Sequence, residues 1–196
     1  MAHLAKSDAA AWIEDSGLRM RVSRKVFVDA EIHALEIERI FNRSWLFLGH
    51  ASEIPAPGNY VTRPMGTDNV IVWRDAEGKV RAFLNACRHR GVALCRVDAG
   101  SARRLVCPYH GWSYFNTGKL SGVPWPDGYA CDFKDEKYNV AQVPRVESYR
   151  GFIFASLSAE GPSFDEFLGP MKANIDDLVD RAPDGQILLD AGMHRY

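Results

Sequence analysis

The spacing of apolar positions changes twice along this chain. Between Asp29 and Asn42 the apolar residues recur at helical intervals. Ile32, Leu35, Ile40 and Phe41 form one stripe, and Asp29 stands where an N-cap belongs. That pattern predicts a helix over residues 29–42. From residue 45 onward the apolar runs shorten and are separated by turn residues, which predicts strands. Residues 45–48, 60–62, 70–73 and 80–84 read as strands. Pro55, Pro57 and Gly58 turn the chain between the first two, and residues 75–78 make a hairpin turn between the last two. Residues 104–106, 112–115, 143–146 and 151–155 continue the series, with a turn at 116–118. The helical period then returns. Ser163 and Glu166 form a capping box for a short helix stopped by Gly169 and Pro170, and a second helix is expected over 171–179. Residues 1–25 are expected to be poorly ordered or loosely attached.

This order of elements predicts a mainly β fold, a small antiparallel β-sandwich with helices flanking it on the N- and C-terminal sides. The expected divisions are an arm and helix over 1–44, the β-domain over 45–157, and a helical linker over 158–196. The chain has 196 residues, 46% of them hydrophobic and 25% charged, the composition of an ordinary globular protein with a real core. A formal net charge of −1 gives no reason to expect a nucleic acid or a membrane as partner. No apolar run is long enough to span a bilayer and the N-terminus shows no signal-peptide core, so the expected location is cytoplasmic. Charge is uneven along the chain. Arg81, Arg88, Arg90, Arg96, Arg103 and Arg104 crowd one stretch with a single acid, Asp98, whereas residues 160–190 carry eight acids against Lys172 and Arg181. A basic rim of those arginines could steer an acidic partner; an ordinary solvated surface is the alternative.

Candidate chemistry lies inside the arginine-rich stretch. Cys87-Arg-His89-Arg-Gly91 and Cys107-Pro-Tyr-His110-Gly111-Trp112 each offer one thiolate and one imidazole. Two such arms suit a [2Fe-2S] cluster of the Rieske type, with both Cys on one iron and both His on the other. Exchanging two thiolates for neutral imidazoles removes negative charge and raises the reduction potential into a range of roughly −150 to +300 mV. Gly91 and Gly111 follow the arms, where the chain must turn tightly, and Pro108 stiffens the second. The competing reading is structural zinc, but zinc motifs pair like ligands at each arm, and here each arm mixes them. Cys95 and Cys131 are not at ligand spacing and read as core residues.

The wider context resembles a known family. Residues 40–45 (Ile-Phe-Asn-Arg-Ser-Trp), Gly49-His50, Glu53-Ile-Pro55, Pro57-Gly58, Ala82-Phe-Leu-Asn85, both ligand arms, Gly118-Lys-Leu120, Gly151-Phe-Ile-Phe154 and residues 164–169 (Phe-Asp-Glu-Phe-Leu-Gly) are similar to the N-terminal part of the alpha subunit of Rieske non-haem iron aromatic ring-hydroxylating dioxygenases. The resemblance implies that Cys87 and Cys107 bind the inner iron and His89 and His110 the outer one. It implies single electrons from a ferredoxin or reductase, passed to a mononuclear Fe(II) in a C-terminal catalytic domain that acts on an aromatic substrate, in a protein that is a homo-oligomer at full length. That Fe(II) needs two His and a carboxylate. After His110 the only His is His194, so the catalytic domain is expected to lie outside this chain, with residues 192–196 as its first strand. His50 is expected in a structural turn, and His33 on the exposed side of the first helix. Respiratory Rieske proteins carry an extra Cys in each loop and a cluster-facing Ser. Val92, Tyr109 and Trp112 stand at those positions here, which implies the low end of the potential range. A free-standing Rieske electron carrier is the alternative function.

Overall fold

The computed structural model describes residues 12–188. His3, His194 and the strand expected over 192–196 lie outside them. The chain divides into two compact units that part between Ile40 and Phe41. In the first, β1 (Ile13–Asp15) and β2 (Met20–Val22) form an antiparallel hairpin, within a stretch expected to be loose. Every residue of both strands is exposed, so no burial pattern announced them. Two short helices follow, α1 (Lys25–Val28) and α2 (Ala30–Glu36). Asp29 caps α2 as expected, its carboxylate accepting from the Glu31 and Ile32 N–H groups. The helix does not run on to Asn42. A π-helical turn occupies Ile37–Phe41 and breaks the stripe, leaving Ile32 buried but Ile40 and Phe41 exposed.

The second unit is built on antiparallel sheets, as expected. Its first strands are β3 (Leu46–His50), β4 (Asn59–Met65), β5 (Asp68–Arg74), β6 (Val80–Leu84) and β7 (Ala99–Ser101). Then come β8 (Arg104–Val106), β9 (Ser113–Phe115), β10 (Leu120–Gly122), β11 (Arg145–Tyr149) and β12 (Phe152–Ser156). A four-stranded sheet in the order β6-β5-β4-β7 accompanies two three-stranded sheets, β10-β9-β8 and β11-β12-β3. Alternation along β5 shows how they share cores. Ile71 and Trp73 point into one core with Tyr60, Phe83, Leu105 and Tyr114. Val70 and Val72 point into the other with Leu48, Val61, Ala82 and Ile153. All four β5 residues are therefore buried, which is why they read as a continuous apolar run. Strand β11 begins later than residue 143. Pro144 has no N–H for a ladder, and Val143 is instead buried in the second core.

The β5–β6 turn is held by a buried acid. Asp75 accepts from the Glu77 and Lys79 N–H groups and pairs with Arg81 at 2.7 Å. After the sheets come α3 (Phe164–Leu168) and α4 (Met171–Asp180). The Ser163–Glu166 capping box forms at the start of α3. Among the described residues, no helix is long and apolar enough to cross a membrane.

Candidate metal centre

Strand β6 ends at Leu84 and delivers the chain to the first ligand loop. Asn85 ties that loop's two ends together. Its side-chain amide donates to the Cys95 carbonyl at 2.8 Å and its side-chain oxygen accepts from the Cys95 N–H at 2.9 Å. Strands β8 and β9 bracket the second loop. The two loops share one backbone plan. Cys87 N–H donates to the Val92 carbonyl and Gly91 N–H to the Cys87 carbonyl; Cys107 N–H donates to the Trp112 carbonyl and Gly111 N–H to the Cys107 carbonyl. Gly91 and Gly111 both take positive φ, 71° and 74°, which a side chain would strain. Only the His offset differs, two residues after Cys87 and three after Cys107.

The structure brings the four expected donors together in two like pairs. Cys87 and Cys107 are both buried and free, and Cys107 lies close enough to help raise the Cys87 thiol pKa. The His89 and His110 rings lie 4.7 Å apart between centroids. The Nδ1 atoms of both imidazoles are buried without any hydrogen-bond partner. A buried ring nitrogen left unpaired is costly, and here two occur side by side, next to two thiols. Burial holds the His89 pKa below its ordinary value, helped by His110 and Arg90. Burial pushes the Cys87 thiol up and Cys107 adds to this, while the Tyr114 hydroxyl and the His89 N–H act the other way. Among the described residues, no three His, Cys, Asp or Glu side chains converge on a point for a single ion. A two-iron cluster needs two donors at each end, which the thiol pair and the imidazole pair would supply. The donor set fits a [2Fe-2S] cluster.

Tyr114 is a neighbour that sequence reasoning missed. It is fully buried; its hydroxyl lies 3.3 Å from Cys87 Sγ and accepts from the Arg88 N–H at 3.2 Å. Its place on β9, two residues after Trp112, put it on the inward face, and that alternation was the available signal. Trp112 stacks on His89, and Tyr109 covers His110.

Other candidates fall elsewhere. His50 is buried and caps a short 3₁₀ turn, accepting from the Ser52 N–H, a structural role as expected; His33 is exposed. Cys95 is a core residue, its thiol pushed up to about 11 by burial. Cys131 is exposed, contrary to its reading as core, because it sits in the loop after β10 rather than on a strand. The six arginines do not form one rim. Arg88 and Arg90 flank His89, but Arg81 is bound to Asp75 at the β5–β6 turn, and Arg103 and Arg104 line a groove with Ala76 of the same turn, at the opposite end of β6 from Cys87.

The Rieske [2Fe-2S] domain family matches residues 44–148. The chain is 41% identical over 165 residues to biphenyl 2,3-dioxygenase subunit alpha of Rhodococcus jostii (strain RHA1), covering 84% of this chain and 36% of that one. It is 42% identical to the N,N-dimethyl phenylurea N-demethylase subunit alpha of Sphingobium sp. (strain YBL2), covering 85% of this chain and 36% of that one. The structure of naphthalene 1,2-dioxygenase from Rhodococcus sp. bound to indole superimposes with a TM-score of 0.81 at 38% identity, over 92% of this chain and 42% of that one. The chain thus spans little more than a third of the length of the curated relatives it matches.

Proposed function

The chain belongs to the Rieske [2Fe-2S] family, and from that premise we propose that it is the electron-accepting part of an aromatic ring-hydroxylating dioxygenase alpha subunit. Cys87 and Cys107 hold one iron and His89 and His110, through Nδ1, the other. The observation that carries this is the pair of buried, unpartnered Nδ1 atoms beside two buried free thiols. Bound there, a [2Fe-2S] cluster supplies a one-electron acceptor. The residues around it do the rest: Gly91 and Gly111 let the loops close around the donors, the Tyr114 hydroxyl meets Cys87 Sγ, and the aromatic side chains exclude water from the imidazole face.

In the whole protein, single electrons come from a ferredoxin or reductase and go on to a mononuclear non-haem Fe(II) in a catalytic domain, to which residues 158–196 contribute the linker and the start. We place the protein in the cytoplasm, as a homo-oligomer at full length. Similarity to oxygenase alpha subunits over 84–92% of the chain, well beyond the stretch matched by the Rieske family alone, favours this over a free-standing carrier. The N-demethylase relative is as similar as the dioxygenase, so the oxidation carried out is set outside this part of the molecule. Metal analysis of the purified chain tests the cluster. Two irons and two acid-labile sulfides per chain are expected, and one zinc without sulfide would overturn the assignment.

A further inference from the structure

The two imidazoles are supported differently. His89 lies flat against the Trp112 ring, centroids 5.0 Å apart and planes 5° from parallel. Trp112 is 3% exposed and is gripped at its edges by Tyr129, Phe133 and Tyr138 at 6.1, 5.3 and 6.1 Å, all steeply inclined to it. Its Nε1–H donates to the Tyr129 hydroxyl at 3.5 Å. His110 has no such backing. Apart from His89, its ring neighbour is Tyr109, 3.7 Å away and tilted by 33°, and Tyr109 is 54% exposed.

The difference matters because the second side-chain torsion of histidine is broad and weakly self-determined. With Nδ1 unpartnered, no hydrogen bond at that atom fixes the ring. A parallel arene held in a buried box does, since rotating His89 would drive its edge into the indole face. An exposed tyrosine exerts no comparable constraint on His110.

We propose that Trp112 is a positioning residue that sets the plane of the His89 imidazole, leaving His110 the adjustable ligand of the pair. This rests on the cluster reading above. It differs from ordinary core packing in what it predicts. Packing would make every ring of the box equivalent, whereas positioning singles out the ring that is parallel to His89.

The test is electron paramagnetic resonance of the reduced chain carrying ¹⁵N-labelled histidine, with iron and sulfide content measured on the same samples. Trp112→Leu is expected to keep its iron and sulfide while the g-values shift and one of the two histidine nitrogen couplings changes. Trp112→Phe, which retains an arene face, is expected to restore the wild-type spectrum. Phe133→Leu removes one edge contact of Trp112 but no ring that lies on His89, and is expected to shift the coupling less than Trp112→Leu does. Wild-type couplings in Trp112→Leu, or equal shifts in Phe133→Leu, would overturn the proposal. Should Trp112→Leu fail to retain iron, Tyr129→Leu decides. Loosening the indole edge should broaden the g-values, and an unbroadened signal contradicts the role. A wild-type chain without iron and sulfide would instead remove the cluster reading itself.

Discussion

Individual side chains here differ sharply in how much they commit the molecule. His89 and His110 bring buried Nδ1 atoms with no hydrogen-bond partner among the described residues, an arrangement that costs stability unless a ligand completes it. His89→Ala and His110→Ala should each lose the visible absorption of the cluster; an intact native spectrum in both would mean the ligands are others. Tyr114 acts one step out. Its hydroxyl, 3.3 Å from Cys87 Sγ, can donate to a thiolate, and a bond to sulfur favours the more negative, reduced state. Tyr114→Phe should therefore keep the iron but lower the reduction potential by roughly 40–80 mV, the one-electron equivalent of a hydrogen bond worth about 1–2 kcal/mol. Protein-film voltammetry of the two proteins would show it, and an equal or higher potential in the variant would mean the hydroxyl does not donate to the sulfur.

Elements hold these side chains in place, and two positions show how. Gly118 turns the chain after β9 at φ 82°, where a Cβ would strike the Phe83 ring. Gly118→Ala should destabilise the domain by about 1–3 kcal/mol, from strain and overpacking together. Asp75 is fully buried and binds Arg81 and two backbone N–H groups. Asp75→Ala should cost about 3 kcal/mol, because a partly buried arginine and two donors lose their acceptor. Denaturant melts would check both, and a change below about 0.5 kcal/mol at either site would contradict the packing described. Strands whose side chains alternate between two cores, such as β5 and β6, were legible in the sequence. So were the ligand arms and both predicted caps, since each depends on residues within a few positions of one another. The strands β7 (Ala99–Ser101) and β10 (Leu120–Gly122) were not, because short stretches rich in Gly, Ala and Ser are strands only by virtue of their partners. The π-turn after α2 escaped for the opposite reason, as Ile40 and Phe41 fit a helical stripe that the backbone abandons. Trp112 on His89 joins residues of two different loops, a contact no local pattern encodes.

For the whole molecule the relevant question is where electrons arrive and where they stop. The arginine-rich stretch is divided in space, since β6 carries Arg81 away from Cys87 and β8 carries Arg104 away from Cys107. Arg88 and Arg90 are the arginines that flank His89, so a test of charge steering changes one of them. Stopped-flow reduction by a ferredoxin at low salt should slow several-fold in Arg88→Glu and weaken its salt dependence, while Arg103→Glu with Arg104→Glu leaves the rate unchanged. The reverse pattern would move the docking face to the other end of the sheet. Supplied with reductase, NADH, O2 and an aromatic substrate, the 196-residue chain should be reduced without forming a hydroxylated product. Beyond His110 it carries a single His, His194, too few for a two-His mononuclear iron site. Product formation by this chain alone would reveal an oxygen-activating site elsewhere. The central claim is that two Cys and two His divide between two irons, and pulsed paramagnetic resonance of the dithionite-reduced protein with ¹⁵N-histidine tests it most directly. Two labelled-nitrogen couplings on a two-iron signal, both lost when His89 and His110 are replaced together, are the predicted result; a two-iron signal with no histidine coupling, or no signal from a protein that binds zinc, would contradict it.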